Sequence, residues 1–177
     1  MTTMRSLATL LIAAAAVLIG TAPALAAPSP PAEKIELTKM TGRWYEVARM
    51  PNSTQKNCQG GTSDWVRTGE GYSVVQACHK GGLTAPPTEW KAKAKVIDPK
   101  TNARIKMSFF GGMLSQEYWV LAHKADWLIL GTPNGNYMWL MSQRPTLSAQ
   151  AKAQAVARVK QLGYDVSRLE FPAPARN

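Results

Sequence analysis

The sequence predicts an all-β protein: an eight-stranded antiparallel up-and-down barrel with one C-terminal α-helix packed on its outside. Three observations predict it. Short β-type segments follow one another with turn residues between them, such as Asp98-Pro99-Lys100-Thr101-Asn102 and Pro133-Asn134-Gly135-Asn136. Lys91, Lys93 and Lys95 alternate with Trp90, Ala92, Ala94 and Val96, so one face of that strand is wet and the other buried. After Ser148 the pattern becomes an Ala-rich run without Gly or Pro, which suits a helix. Sequential half-buried strands lose both exposed edges when the sheet closes. Eight strands then enclose an interior just wide enough for side chains or one small ligand.

Residues 1–26 read as a secretory signal peptide. Arg5 gives the positive start, Leu7 to Ile19 is an apolar run too short to span a bilayer, and Ala24-Leu25-Ala26 is the cleavage site. Residues 27–38 form a Pro-rich lead-in, and the domain fills 39–177. No cysteine stands beside the cleavage site, so the expectation is a periplasmic or secreted protein that is not a lipoprotein.

The strands are expected at Arg43–Met50, Thr62–Thr68, Tyr72–His79, Trp90–Ile97, Arg104–Phe110, Glu117–His123, Trp127–Gly131 and Tyr137–Gln143. Ile105, Met107 and Phe109 alternate with Arg104, Lys106 and Ser108, as in the Lys91–Lys95 strand. Ser148 caps a helix over Ala149–Leu162, and Gly163 stands where the chain leaves it. Ala155, Val156, Val159 and Leu162 give that helix one apolar stripe, which must pack on a neighbour. Asp165–Phe171 is expected to add a further short strand.

Composition narrows the function. An apolar fraction of 45% excludes a disordered chain. The net charge of +10 is spread rather than clustered, which disfavours nucleic acid and favours peripheral contact with an anionic membrane surface. His79 and His123 are the only histidines. Neither belongs to a nucleophile motif or a metal-spaced cluster, so both read as ordinary strand residues. Neither a catalytic set nor a metal or other cofactor is expected. Glu46, three places from both Arg43 and Arg49, reads as a charge-paired interior residue. Cys58 and Cys78 flank a hairpin turned at Gly69-Glu70-Gly71, which places them near one end of two paired strands. In an oxidising compartment they are expected to form a disulfide.

Gly42-Arg43-Trp44 in the first strand resembles the G-x-W signature of the lipocalin family. Ala125-Asp126-Trp127 stands where that family carries a T-D-Y-like motif, with Ala and Trp replacing two of its residues. Tyr137 through Pro145, with Arg144, resembles the last-strand signature. Met107-Ser108-Phe109-Phe110-Gly111 and Gly163-Tyr164-Asp165 are similar to the bacterial lipocalin and apolipoprotein D branch. The resemblance implies binding, storage or transport of small hydrophobic molecules of the fatty acid or lysophospholipid type at the cell envelope. It also places Trp44 at the closed end with Arg144 stacked across it, and the loop 52–61 at the open mouth. Inward aromatic and apolar side chains would then meet the ligand: Trp90, Met107, Phe109, Tyr118, Tyr137 and Trp139. Alternation supports Trp90, Met107 and Phe109, whereas both faces of the strands carrying the other three are apolar. A lipocalin-type enzyme acting on a lipid or pigment, and a surface-acting scaffold or inhibitor, stand as alternatives.

Overall fold

The turn residues punctuate the strands as expected. The computed structural model describes residues 28–175, so the expected signal peptide at 1–26 lies outside the described residues. The strands are β1 (Gly42–Arg49), β2 (Gly61–Thr68), β3 (Gly71–Cys78), β4 (Thr88–Val96), β5 (Arg104–Phe109), β6 (Leu114–His123), β7 (Trp127–Gly131) and β8 (Met138–Ser142). Each pairs antiparallel with the next, and β8 pairs with β1, so the barrel is closed. β6 starts three residues before the expected Glu117, because Leu114, Ser115 and Gln116 continue the ladder with Phe109, Ser108 and Met107. The other strand ends coincide with the expected ones or differ by one or two residues.

The helix α1 (Ala149–Gln161) follows, with the Ser148 side chain accepting from the Ala151 N–H at its start. Gly163 has φ +91°, the left-handed conformation that ends a helix without a Cβ penalty. The expected strand at Asp165–Phe171 does not form. Asp165 accepts from the Ser167 N–H and turns Val166–Arg168 into a short 3-10 helix. Glu170 pairs with β1 through one isolated bridge to Arg49, and Val166 and Leu169 pack on the outer core.

Alternation sorts the apolar side chains into two cores. Inside the barrel lie Trp44, Trp65, Tyr72, Val74, Ala92, Ala94, Ile105, Met107, Phe109, Val120, Leu128, Leu130 and Met141. Outside, Trp127, Ile129, Met138 and Leu140 meet Ala155 and Val159 of α1. Lys91, Lys93 and Lys95 are exposed, as their alternation requires. A short 3-10 helix at Leu37–Met40 precedes β1. Met40 is 2% exposed, and its carbonyl accepts the Trp44 indole N–H at 3.1 Å. The end of the barrel at the start of β1 is thus closed from below by the chain that enters it.

The expected Trp44–Arg144 stack is not what seats Trp44. Arg144 is exposed just beyond β8, and its backbone N–H bonds the Ser142 hydroxyl. The cation–π contacts among the described residues are Lys80–Trp90, Arg104–Trp119 and Lys152–Phe171. Hydrogen bonding to Met40 fixes the indole more directly than a guanidinium that is free to stay in water.

Candidate functional site

The opposite end, where β1 finishes and β2 begins, is the mouth. A bulge between Glu46 and Ala48 organises it. In a regular strand, residues three apart point to opposite faces. The extra residue shifts the alternation, so Glu46 and Arg49 both turn inward while Ala48 joins the outer core. Their side chains meet at 2.6 Å, with side-chain exposures of 3% and 5%. Gly61 lies opposite, and any side chain there would collide with the Glu46 carboxylate. Arg43 is not the partner of Glu46; it forms a two-armed pair with Asp64 on β2.

The rest of the network closes the β1–β2 loop over this pair. Arg49 donates to the Cys58 carbonyl at 3.0 Å and to Glu170 at 2.7 Å. Gln55 donates to Glu46 at 2.6 Å and accepts the Trp139 indole N–H at 2.7 Å. Asn52 also donates to Gln55, which fixes the orientation of its amide. Cys58 and Cys78 form the expected disulfide and tie the same loop to β3, with Cα atoms 5.6 Å apart. Burial pushes the Glu46 carboxyl above its ordinary range, and this outweighs the opposing pull of Arg49 and Gln55.

Of the six residues expected to meet ligand, Tyr118, Tyr137 and Trp139 come together. The Trp139 ring lies 5.7 Å from Tyr118 and 6.1 Å from Tyr137. Trp139 and Tyr118 pack against the inner core while remaining partly accessible. Tyr137 precedes β8 and stands on the rim, 37% exposed. Burial pushes the Tyr118 hydroxyl up to about 12, so it stays neutral at physiological pH. Trp90 is half-buried at the end of β4 nearer the mouth, with Lys80 Nζ 5.4 Å from its ring centroid. Phe109 packs in the inner core at 8% exposure.

Met107 is buried in the inner wall of the barrel. It is 1% exposed and packs with Ile105, Val74 and Ala94 in the inner core. The accessible part is an aromatic mouth with a buried ion pair in its wall. Gln55 and Lys80 were not among the expected site residues. Both lie in polar connections whose pattern has no period, so nothing in the sequence aims them at the mouth.

The histidines serve the structure. His79 Nδ1 lies 2.9 Å from the Ala85 carbonyl and braces the β3–β4 connection. His123 ends β6, 3.9 Å from Glu33. Among the described residues, no three His, Cys, Asp or Glu side chains are grouped to hold a metal ion.

A closed eight-stranded antiparallel barrel, a first strand opening on Gly-x-Trp, a terminal helix on its wall and an aromatic mouth define a lipocalin. The chain belongs to that family: residues 35–174 match the lipocalin-like domain. It is 30% identical to the outer membrane lipoprotein Blc of Vibrio cholerae over 148 residues, covering 80% of this chain and 84% of that one. It is also 30% identical to apolipoprotein D of Cavia porcellus over 115 residues, covering 64% of this chain and 59% of the relative. These place it in the bacterial lipocalin and apolipoprotein D branch. Insecticyanin from the tobacco hornworm Manduca sexta shares the fold, with a TM-score of 0.66 at 17% identity over 83% of this chain and 85% of that one.

Membership of this family supports binding of small hydrophobic ligands, and lipocalins are generally binding and transport proteins. One expectation is corrected. Relatives of the Blc type are outer membrane lipoproteins, which overturns the expectation that this protein is not a lipoprotein. An envelope location agrees with the same relatives. The expectation failed because it rested on a single local feature, the absence of a cysteine beside Ala24-Leu25-Ala26.

Proposed function

We propose that the protein binds single-chain amphiphiles of the fatty acid or lysophospholipid class at its aromatic mouth and carries or stores them in the cell envelope without altering them. The observation that carries this is Lys80 above Trp90, a cation 5.4 Å from a half-buried ring on the wall of the opening. An acyl chain would lie along Trp90, Tyr118 and Trp139, and its anionic or zwitterionic head would stay at the rim within reach of Lys80. Each methylene leaving water contributes about 0.8 kcal/mol, so a buried chain of about sixteen supplies about 13 kcal/mol, which leaves micromolar binding after an association cost of about 4–5 kcal/mol.

Tryptophan quenching by a saturated fatty acid and by lysophosphatidylcholine tests the proposal. Trp90→Glu is expected to abolish binding, because a carboxylate in the mouth must be desolvated and repels an anionic ligand. Lys160→Glu, on the exposed side of α1, is expected to bind as the native protein does. Recovered lipid of unchanged mass supports carriage, and turnover favours the enzyme alternative. A folded Trp90→Glu variant with native affinity would place the ligand elsewhere and favour a protein that acts through its surface.

A further inference from the structure

We infer that the β5–β6 hairpin and the lysine-lined wall beneath it form a docking surface for an anionic lipid bilayer. The hairpin tip carries three large apolar side chains in water: Phe110 is 62% exposed, Met113 90% and Leu114 57%. They adjoin one another on the rim of the mouth, whereas soluble surfaces ordinarily scatter such residues. Phe110 also has φ +51°, a left-handed conformation unfavourable for a bulky side chain. Gly111 and Gly112 follow with φ +70° and +101°, so the backbone turns without side chains of its own there. Phe110 lies 6.4 Å from the Phe109 ring, yet most of its surface remains in water.

The wall below supplies the charge. A groove of about 470 Å³ runs along the outer face of β4 and β5, lined by Lys91, Lys93, Lys95 and Lys106 and bounded at its upper end by Gly111 and Gly112. Ala92 pairs with Phe109, which sets Lys91 level with the tip. Lys95 stands directly opposite Lys106, an arrangement that costs stability between paired strands. The neighbouring acids are few or already engaged. Glu70 is held by Lys95 at 2.9 Å, and Glu117, beside Lys106, is held by Arg104 at 2.8 Å. Glu89 is the acid in the Lys91–Lys95 row.

Apolar side chains next to a row of cations match a bilayer with anionic headgroups, which supplies hydrocarbon behind negative charge. Inserting Phe110 and Met113 removes apolar surface from water. Each lysine near such a surface adds an attraction that salt screens. The docked tip borders the mouth, so a lipid would pass between bilayer and barrel along the rim.

Sedimentation with phosphatidylcholine vesicles, with and without phosphatidylglycerol, tests the inference. The native protein is expected to bind the mixed vesicles, to release them as salt rises, and to bind pure phosphatidylcholine far less. Met113→Asp and the pair Lys91→Glu with Lys93→Glu are each expected to weaken binding to mixed vesicles about tenfold or more. Phe110→Gly guards against misfolding. It relieves the left-handed strain, so its melting temperature should not fall, yet its vesicle binding should drop about tenfold. Absence of native binding, equal binding to both vesicle types, or native binding by Phe110→Gly would each overturn the inference. The outcome is separable from the cargo proposal, because uptake of dissolved fatty acid does not require the hairpin tip.

Discussion

The indole N–H of Trp139 on β8 donates to the side chain of Gln55, which lies 84 positions earlier in the β1–β2 loop, at 2.7 Å. Gln55 passes the connection on to buried Glu46 at 2.6 Å. One glutamine therefore joins the aromatic lining of the mouth to the ion pair in its wall and holds the loop across the opening.

Replacing Gln55 by Ala should leave the Trp139 N–H and a Glu46 oxygen without their partners. Unpaired groups of this kind cost about 1–3 kcal/mol each when they stay buried. Trp139 is only partly buried and its N–H can turn to water, so urea denaturation should show a loss of about 1–3 kcal/mol in total. Fatty acid should also enter and leave faster in stopped-flow tryptophan fluorescence, because the loop is no longer latched. Unchanged exchange rates would show that the loop does not gate the mouth.

Glu46 sets a pH dependence with a definite sign. Its carboxyl is raised in the folded protein by burial. The stability this contributes is full below the unfolded value of about 4.3 and is lost as pH rises through the higher folded value. Glu46→Gln removes that titration. The stability of the native protein relative to the variant should therefore fall as pH increases above about 4.3. A difference that grows with pH would mean that Arg49 holds the carboxylate charged.

Trp44→Ala should destabilise the fold by about 3–5 kcal/mol, as for other buried aromatics. Arg144→Ala, at an exposed position, should stay within about 0.5 kcal/mol. The two effects should add, since the indole is seated on Met40. Coupling above about 0.5 kcal/mol in thermal or urea unfolding of the double variant would restore the Trp–Arg contact.

Opening the Cys58–Cys78 disulfide, which spans 20 positions, should cost about 3 kcal/mol through the freedom returned to the unfolded chain. Because Arg49 also holds the Cys58 carbonyl, the paired Cys58→Ser and Cys78→Ser protein should keep its fold at room temperature. Its melting temperature should nevertheless fall clearly. Intact mass with and without reductant, under alkylation, checks that the bond is present to begin with.

By itself the sequence determined the barrel, its strand order, the outer helix and the disulfide. Each rests on short-range physics: alternation with period two at Lys91–Val96, turn residues at 98–102 and 133–136, and a Ser cap before an Ala-rich run. It also determined that Glu46 would be paired, but not with whom. The tertiary structure decided that. A one-residue bulge turned Arg49 inward beside Glu46 and left Arg43 to Asp64, and a bulge depends on the fit of two strands rather than on either one. In the same way, Tyr118 and Trp139 became part of the mouth only when closure of the sheet chose one of two apolar faces. Met107 became fully buried and Trp90 stayed half-buried although both point inward. Burial along a barrel wall depends on what packs against it from the other strands, and no periodicity within one strand records that.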